Sequence, residues 1–175
     1  AYAVNQTAAA LAVVFSAILF SYSAVFAGKK YFGNYLVALA SGAAFLMGAA
    51  VSGYYFVPFL LGVSAVFSTL AREVTKDLED QKADAGIKVT LPMATSPSFA
   101  SKYVYATAVL AILASFSPVF LKLNASYLFI ALLAVGGVVM LDSLLHVGKK
   151  NYLEAQQRQK QAMLIVLIAY LAALV

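Results

Sequence analysis

The residues best placed to do chemistry are the carboxylates between Arg72 and Pro92. Glu73, Asp77, Glu79, Asp80 and Asp84 are five of the seven acidic residues in the chain, and they share this stretch with Arg72, Lys76, Lys82 and Lys88. A helix turns by roughly 100° per residue, so Glu73, Asp77, Asp80 and Asp84 are expected to form one stripe about 60° wide. Such a stripe repels itself by about a few tenths of a kcal/mol per pair. A divalent cation removes that repulsion. Mg²⁺ prefers oxygen ligands and typically takes one or two carboxylates plus the phosphates of a substrate. Gly86 is placed to end the helix, and Lys88 and Thr90 follow as groups able to reach a phosphate. A run of mixed charge is more often a solvated helix end. Here the one-sided spacing and the position at a membrane edge favour a site.

The elements that position this stretch are apolar. The chain has 175 residues, of which 63% are hydrophobic and 11% charged, with a mean hydropathy of +0.89. A soluble domain carries about 25% charged residues, so the composition implies an all-α, polytopic membrane helical bundle forming a single transmembrane domain over residues 1–175. Six spans of near-bilayer length are expected, at residues 8–27, 34–52, 54–71, 103–121, 125–145 and 161–175. The loops between them sort by charge. The first, third and fifth hold eleven of the twelve Lys and Arg residues, and the remaining one is Lys122. The positive-inside rule then puts the odd loops, and with them the carboxylates, on the cytoplasmic side of the cell membrane. Basic residues distributed in this way are not the footprint of a nucleic-acid-binding protein. With no cysteine, thiolate chemistry and thiolate zinc sites are excluded.

Four further features stand out. The second span is rich in Gly and Ala, including Gly42 and Gly48, which lets neighbouring backbones approach closely. Asn34, at the cytoplasmic end of that span, suits a helix cap and a ligand equally. Tyr22 lies near the cytoplasmic end of the first span and is the aromatic residue best placed to stabilise a cation by its ring face. Asp142 and His146, one turn apart in the fifth span, read as a structural hydrogen bond.

Two blocks resemble the UbiA-type intramembrane prenyltransferases. AREVTKDLEDQKADAGIKVTLP is similar to the second aspartate-rich motif of that family in its archaeal form. GNYLVALASGAAFLMGA is similar to the segment preceding it, through Gly33, Asn34, Val37, Ala38, Gly42, Phe45 and Gly48. The resemblance implies a fold of nine transmembrane helices around a cavity open to lipid, of which the six spans fit as the last six. It also implies that three helices, with a first motif of the form NDxxDxxxD, precede Ala1. The implied chemistry is Mg²⁺-dependent. A prenyl diphosphate lies with its tail in the apolar interior, the C–O bond breaks, and an acceptor captures the allylic cation. Asp80 and Asp84 match the metal ligands of the motif, and Asp77 matches the preceding Asp. Arg72, Lys76 and Lys88 are implied to grip phosphate, with Tyr22 and Asn34 near the substrate. The family often has Gly where Ala83 stands and Arg where Lys88 stands.

The REV-x-KD-x-ED form is most like the archaeal enzymes that transfer a geranylgeranyl group to geranylgeranylglyceryl phosphate in ether-lipid synthesis. The runner-up is prenylation of an aromatic ring in quinone synthesis. Two readings of another class are an ion-coupled transporter half-bundle, which calls for acidic residues at mid-span, and a non-catalytic membrane subunit that completes a partner.

Overall fold

The computed structural model describes residues 6–21, 32–121, 123 and 126–172. Tyr22, Lys29, Lys30 and Lys122 lie outside them. The described residues form seven helices and no strand: α1 (Gln6–Ser21), α2 (Phe32–Ser52), α3 (Phe56–Glu79), α4 (Leu91–Ala94), α5 (Pro97–Phe120), α6 (Tyr127–Gly148) and α7 (Tyr152–Ala172). The chain is a polytopic helical membrane bundle, and α2, α3, α5 and α6 are each long and apolar enough to cross a bilayer. Large apolar side chains such as Phe20, Val138 and Leu145 face outward. That is the expected arrangement where the surroundings are hydrocarbon rather than water.

The helix starts are written locally. Ser96 caps α5, accepting from the Phe99 N–H at 3.1 Å, with Pro97 as the first helical residue. Ser126 caps α6 in the same way, accepting from the Phe129 N–H at 3.2 Å. In both cases a side-chain oxygen satisfies a donor that the helix itself leaves unpaired. Pro118 lies inside α5 and has no N–H to offer the Ala114 carbonyl. The Ser117 hydroxyl donates to that carbonyl at 2.6 Å instead.

Helix α3 is the centre of the bundle and packs on α2, α5 and α7, while α6 packs on α7 and α5. Its contact with α2 depends on glycine. A Cβ on Gly42 would lie 2.5 Å from Val66 Cγ2 and 2.8 Å from the Gly62 carbonyl oxygen. A Cβ on Gly62 would lie 2.9 Å from the Gly42 carbonyl oxygen. Close packing of small residues replaces the hydrophobic effect as the force joining helices in lipid. Gly48, expected to take part, has open space around it.

Two buried clusters run along the bundle. One joins Val74, Leu78, Leu91, Val104, Met140 and Val147 beside the acidic stretch. The other joins Leu61, Phe129, Leu133, Ala169 and Tyr170 further along.

The last expected span is corrected. It was placed at residues 161–175, whereas α7 starts at Tyr152 and carries Glu154, Arg158 and Lys160 within the helix. These polar turns have partners in the bundle. The Gln159 amide, fully buried, donates to the Thr75 hydroxyl at 3.0 Å. The Gln156 amide donates to Glu79. Arg158 Nε lies 3.3 Å from Asp142 and 3.1 Å from Glu154. Asp142 is therefore tied chiefly to α7. His146 Nε2, at 3.8 Å, is too far for the hydrogen bond expected between them. Among the described residues, neither α1 nor α7 meets the length and polarity of a span by itself. The apolar part of α1 is short, covering Gln6–Ala17.

Candidate active site

Helix α3 was expected to run on to Gly86. It stops at Glu79, where Asp80 (φ −80°, ψ 3°) leaves the helical range while its N–H still bonds the Lys76 carbonyl. The chain then turns back on itself. The Asp84 N–H bonds the Asp80 carbonyl at 2.9 Å, and the Ile87 and Lys88 N–H groups bond the Asp84 carbonyl at 3.0 and 3.2 Å. Gly86 takes φ +83°, a left-handed conformation that glycine adopts without steric cost. The glycine therefore shapes the turn rather than capping the helix. The expected four-carboxylate stripe is broken for a physical reason. Like charges stacked along one helix face repel. Folding back instead brings a lysine in among them.

Asp77 is the hub of the result. Its side chain is 7% exposed. Asn34, from the first turn of α2, donates to Asp77 Oδ2 at 2.6 Å, so its side chain bonds across the helix pair. The Leu91 N–H at the start of α4 donates to the same carboxylate. Lys88 Nζ stands 3.8 Å from Asp77 Oδ1 and 2.9 Å from Asp84 Oδ2. The first turn of α2 and the 88–91 stretch thus converge on one buried carboxylate. This agrees with the rule that buried charges are paired and hydrogen-bonded.

Burial works against the Lys88 ammonium, but contact with Asp84 and the charges of Asp77 and Asp80 outweigh it, and Lys88 sits above the ordinary lysine value. Asp80 is half-buried and acts on Lys88 through its charge. Among the described residues it forms no ion pair. Arg72 is paired with its neighbour Glu73, so both are already engaged. Lys76 is exposed on α3, and Thr90 is buried with a hydroxyl that has no hydrogen-bond partner among the described residues.

The structure therefore brings together Asp77, Asp84, Lys88 and Asn34, with Asp80 beside them. It leaves Arg72 and Lys76 at the margin. The sequence reading missed Leu91, whose contribution is a backbone N–H and so leaves no mark in residue type. It also missed the Gln156 and Gln159 contacts that lock α7 onto α3 behind the site; two glutamines on one face of a helix in a membrane protein were the available signal.

Between α2, α3, α5, α6 and α7 lies a cavity of about 220 Å³ with a mainly apolar wall. Its hydroxyls are already satisfied by carbonyls of the bundle: Ser41 by Ala38, Ser64 by Ala111, Ser68 by Ala65 and Ser115 by Ile112. At a rise of 1.5 Å per residue, the part of the wall near Ser41 and Ser68 begins roughly 10–14 Å along the helices from Asn34 and Asp77. The wall offers little to a polar ligand and suits a hydrocarbon chain.

The donor set also suits a hard divalent cation. Among the described residues, no group of three or more acidic, His or Cys side chains is close enough to hold a metal by itself. Two carboxylates do converge on a single point, which here is taken by an ammonium. Two carboxylates with the rest of the shell left to water and substrate phosphate is a usual arrangement for Mg²⁺.

Residues 1–173 match the UbiA prenyltransferase family. Among curated relatives, the digeranylgeranylglyceryl phosphate synthase of Methanopyrus kandleri is 32% identical over 173 residues, covering 98% of this chain and 64% of that protein. The synthase of the same name from Methanosarcina mazei is 29% identical, covering 98% and 61%. That from Methanococcoides burtonii is 33% identical, covering 98% and 62%. The chain thus spans about three fifths of the length of these relatives. No solved structure matches it.

Proposed function

The chain belongs to the UbiA prenyltransferase family, and from that premise we propose that it forms part of an archaeal ether-lipid enzyme. In this reading a geranylgeranyl group passes from its diphosphate to geranylgeranylglyceryl phosphate. The bond between the allylic carbon and the diphosphate oxygen breaks, and the diphosphate leaves with the electron pair. The acceptor hydroxyl oxygen bonds to that carbon and gives up its proton. The relatives' names support this choice of acceptor, as does a basic group, Lys88, at the site.

The observation that carries the proposal is the convergence of Asp77 and Asp84 on one point, with Asp80 beside them, at the end of a helix pair whose interior is apolar. Asp77, Asp80 and Asp84 are the residues that would hold Mg²⁺. Bound there, the ion supplies charge neutralisation for the departing diphosphate. Asn34 and the Leu91 N–H fix the Asp77 carboxylate in orientation. Lys88 offers a compact positive charge to phosphate oxygens. The apolar cavity accepts the prenyl tail and keeps water from the cation that forms. The eleven-to-one sorting of basic residues supports a site that faces the cytoplasm.

The test is Asp80→Ala and Asp84→Ala in the protein expressed from its complete gene. Prenyl transfer at saturating Mg²⁺ is expected to fall by about 10²–10³-fold, the usual cost of removing one group that stabilises developing charge. Activity within a few-fold of wild type would remove these residues from the site. Offering an aromatic acceptor in place of the glyceryl phosphate, in the same assay, decides between the ether-lipid and quinone-type reactions.

A further inference from the structure

Lys88 stands where a cation would stand. Its ammonium lies 2.9 Å from Asp84 Oδ2 and 3.8 Å from Asp77 Oδ1. Asp77 has its other contacts already made, with Asn34 on Oδ2 and the Leu91 N–H. The side of Asp77 that could meet a further cation is the side Lys88 faces. The lysine side chain is 38% exposed, against 7% for Asp77 and 16% for Asp84, so it covers the two carboxylates from the solvent side.

We propose that Lys88 is a built-in competitor of the divalent cation, which must leave the Asp77–Asp84 pair before a metal ion can take it. The inference rests on the reading of these aspartates as metal ligands. An ammonium and a metal ion cannot share one point between two carboxylates, because they repel and both need the same oxygens. Metal arriving alone therefore has to break two ion pairs and leave the ammonium unpartnered. A diphosphate changes that balance. The lysine has a flexible four-carbon stem and three donors, and phosphate oxygens give it new partners. Metal and diphosphate then favour each other's binding, and the coupling is reciprocal. The site therefore holds metal less tightly until the anion that needs the metal is present.

The experiment measures Mn²⁺ binding by electron paramagnetic resonance to the full-length protein in detergent, without any diphosphate. Lys88→Gln and Lys88→Met are compared with wild type and with Lys82→Gln, an exposed lysine of the same turn. One Mn²⁺ equivalent is expected to bind about tenfold more tightly in both Lys88 variants, within the usual range of coupling between sites, and to shift less than about twofold in Lys82→Gln. Thermal unfolding followed by circular dichroism verifies that each variant is folded. If wild type binds Mn²⁺ and neither folded Lys88 variant binds it more tightly, Lys88 is not a competitor, while the carboxylate site stands. If neither wild type nor the variants bind Mn²⁺, the carboxylate site itself is wrong, and the role of Lys88 falls with it.

Discussion

Asn34 is the residue on which Asp77 most directly depends. It supplies a 2.6 Å hydrogen bond to a carboxylate that is almost wholly withdrawn from solvent. Removing it by Asn34→Ala leaves Oδ2 buried without its donor, which costs about 1–3 kcal/mol. Asn34→Asp places a second carboxylate against the first and is expected to cost more than the Ala variant. Thermal unfolding in detergent orders the two, and equal stability of both variants with wild type would show that the bond does not bear on the fold. The chain gives Asn34 a partner 43 residues away, and no local spacing rule reaches that far. The clustering of acids along the sequence was legible, but their single helical stripe was not, because α3 ends at Glu79 and the turn after it brings Asp84 back beside Lys88. What stands opposite them was not, because it depends on how α2 and the turn after α3 meet.

At the scale of elements, the α2–α3 contact decides where that meeting occurs. Gly62→Ala forces a methyl group to within 2.9 Å of the Gly42 carbonyl oxygen. The helices must then separate, carrying Asn34 away from Asp77. A loss of about 1–3 kcal/mol is expected, the usual cost of overpacking. Gly48→Ala meets nothing within 4 Å and is expected to be neutral or mildly stabilising, since alanine is the better helix former. Comparing the two midpoints of thermal unfolding separates the small residues that pack from those that do not. The Gly/Ala run of α2 was readable in the sequence, but which glycine meets a neighbour was not, because that depends on rotation about the helix axis. The end of α3 was misplaced for a related reason. Propensity permitted a helix to Gly86, and tertiary pairing with Lys88 overrode it. Helix α7 shows the converse, where buried partners sustain a helix through turns whose polarity reads as a loop.

At the scale of the whole molecule, the helical class and four of the spans were legible, because apolar length and charge sorting are properties of composition. Orientation is directly testable, since the chain has no native cysteine. A single cysteine at Lys82 sits on an exposed turn beside the site, and one at Tyr54, which is 80% exposed, lies between α2 and α3 at the other end. A membrane-impermeant maleimide is expected to label the first only in inside-out vesicles and the second only in right-side-out vesicles. The reverse pattern would place the carboxylates outside the cell.

Pro118 and Ser117 carry a consequence for how this sequence can drift. The hydroxyl mends the gap that the ring opens at the Ala114 carbonyl. Position 117 is therefore not free to vary while proline stands at 118, although position 118 is free to vary first. Losing the serine beside the proline strands the Ala114 carbonyl oxygen, whereas losing it from a chain that already carries Pro118→Ala strands nothing. The two sites form an epistatic pair, in which the order of mutation decides whether the intermediate is tolerated.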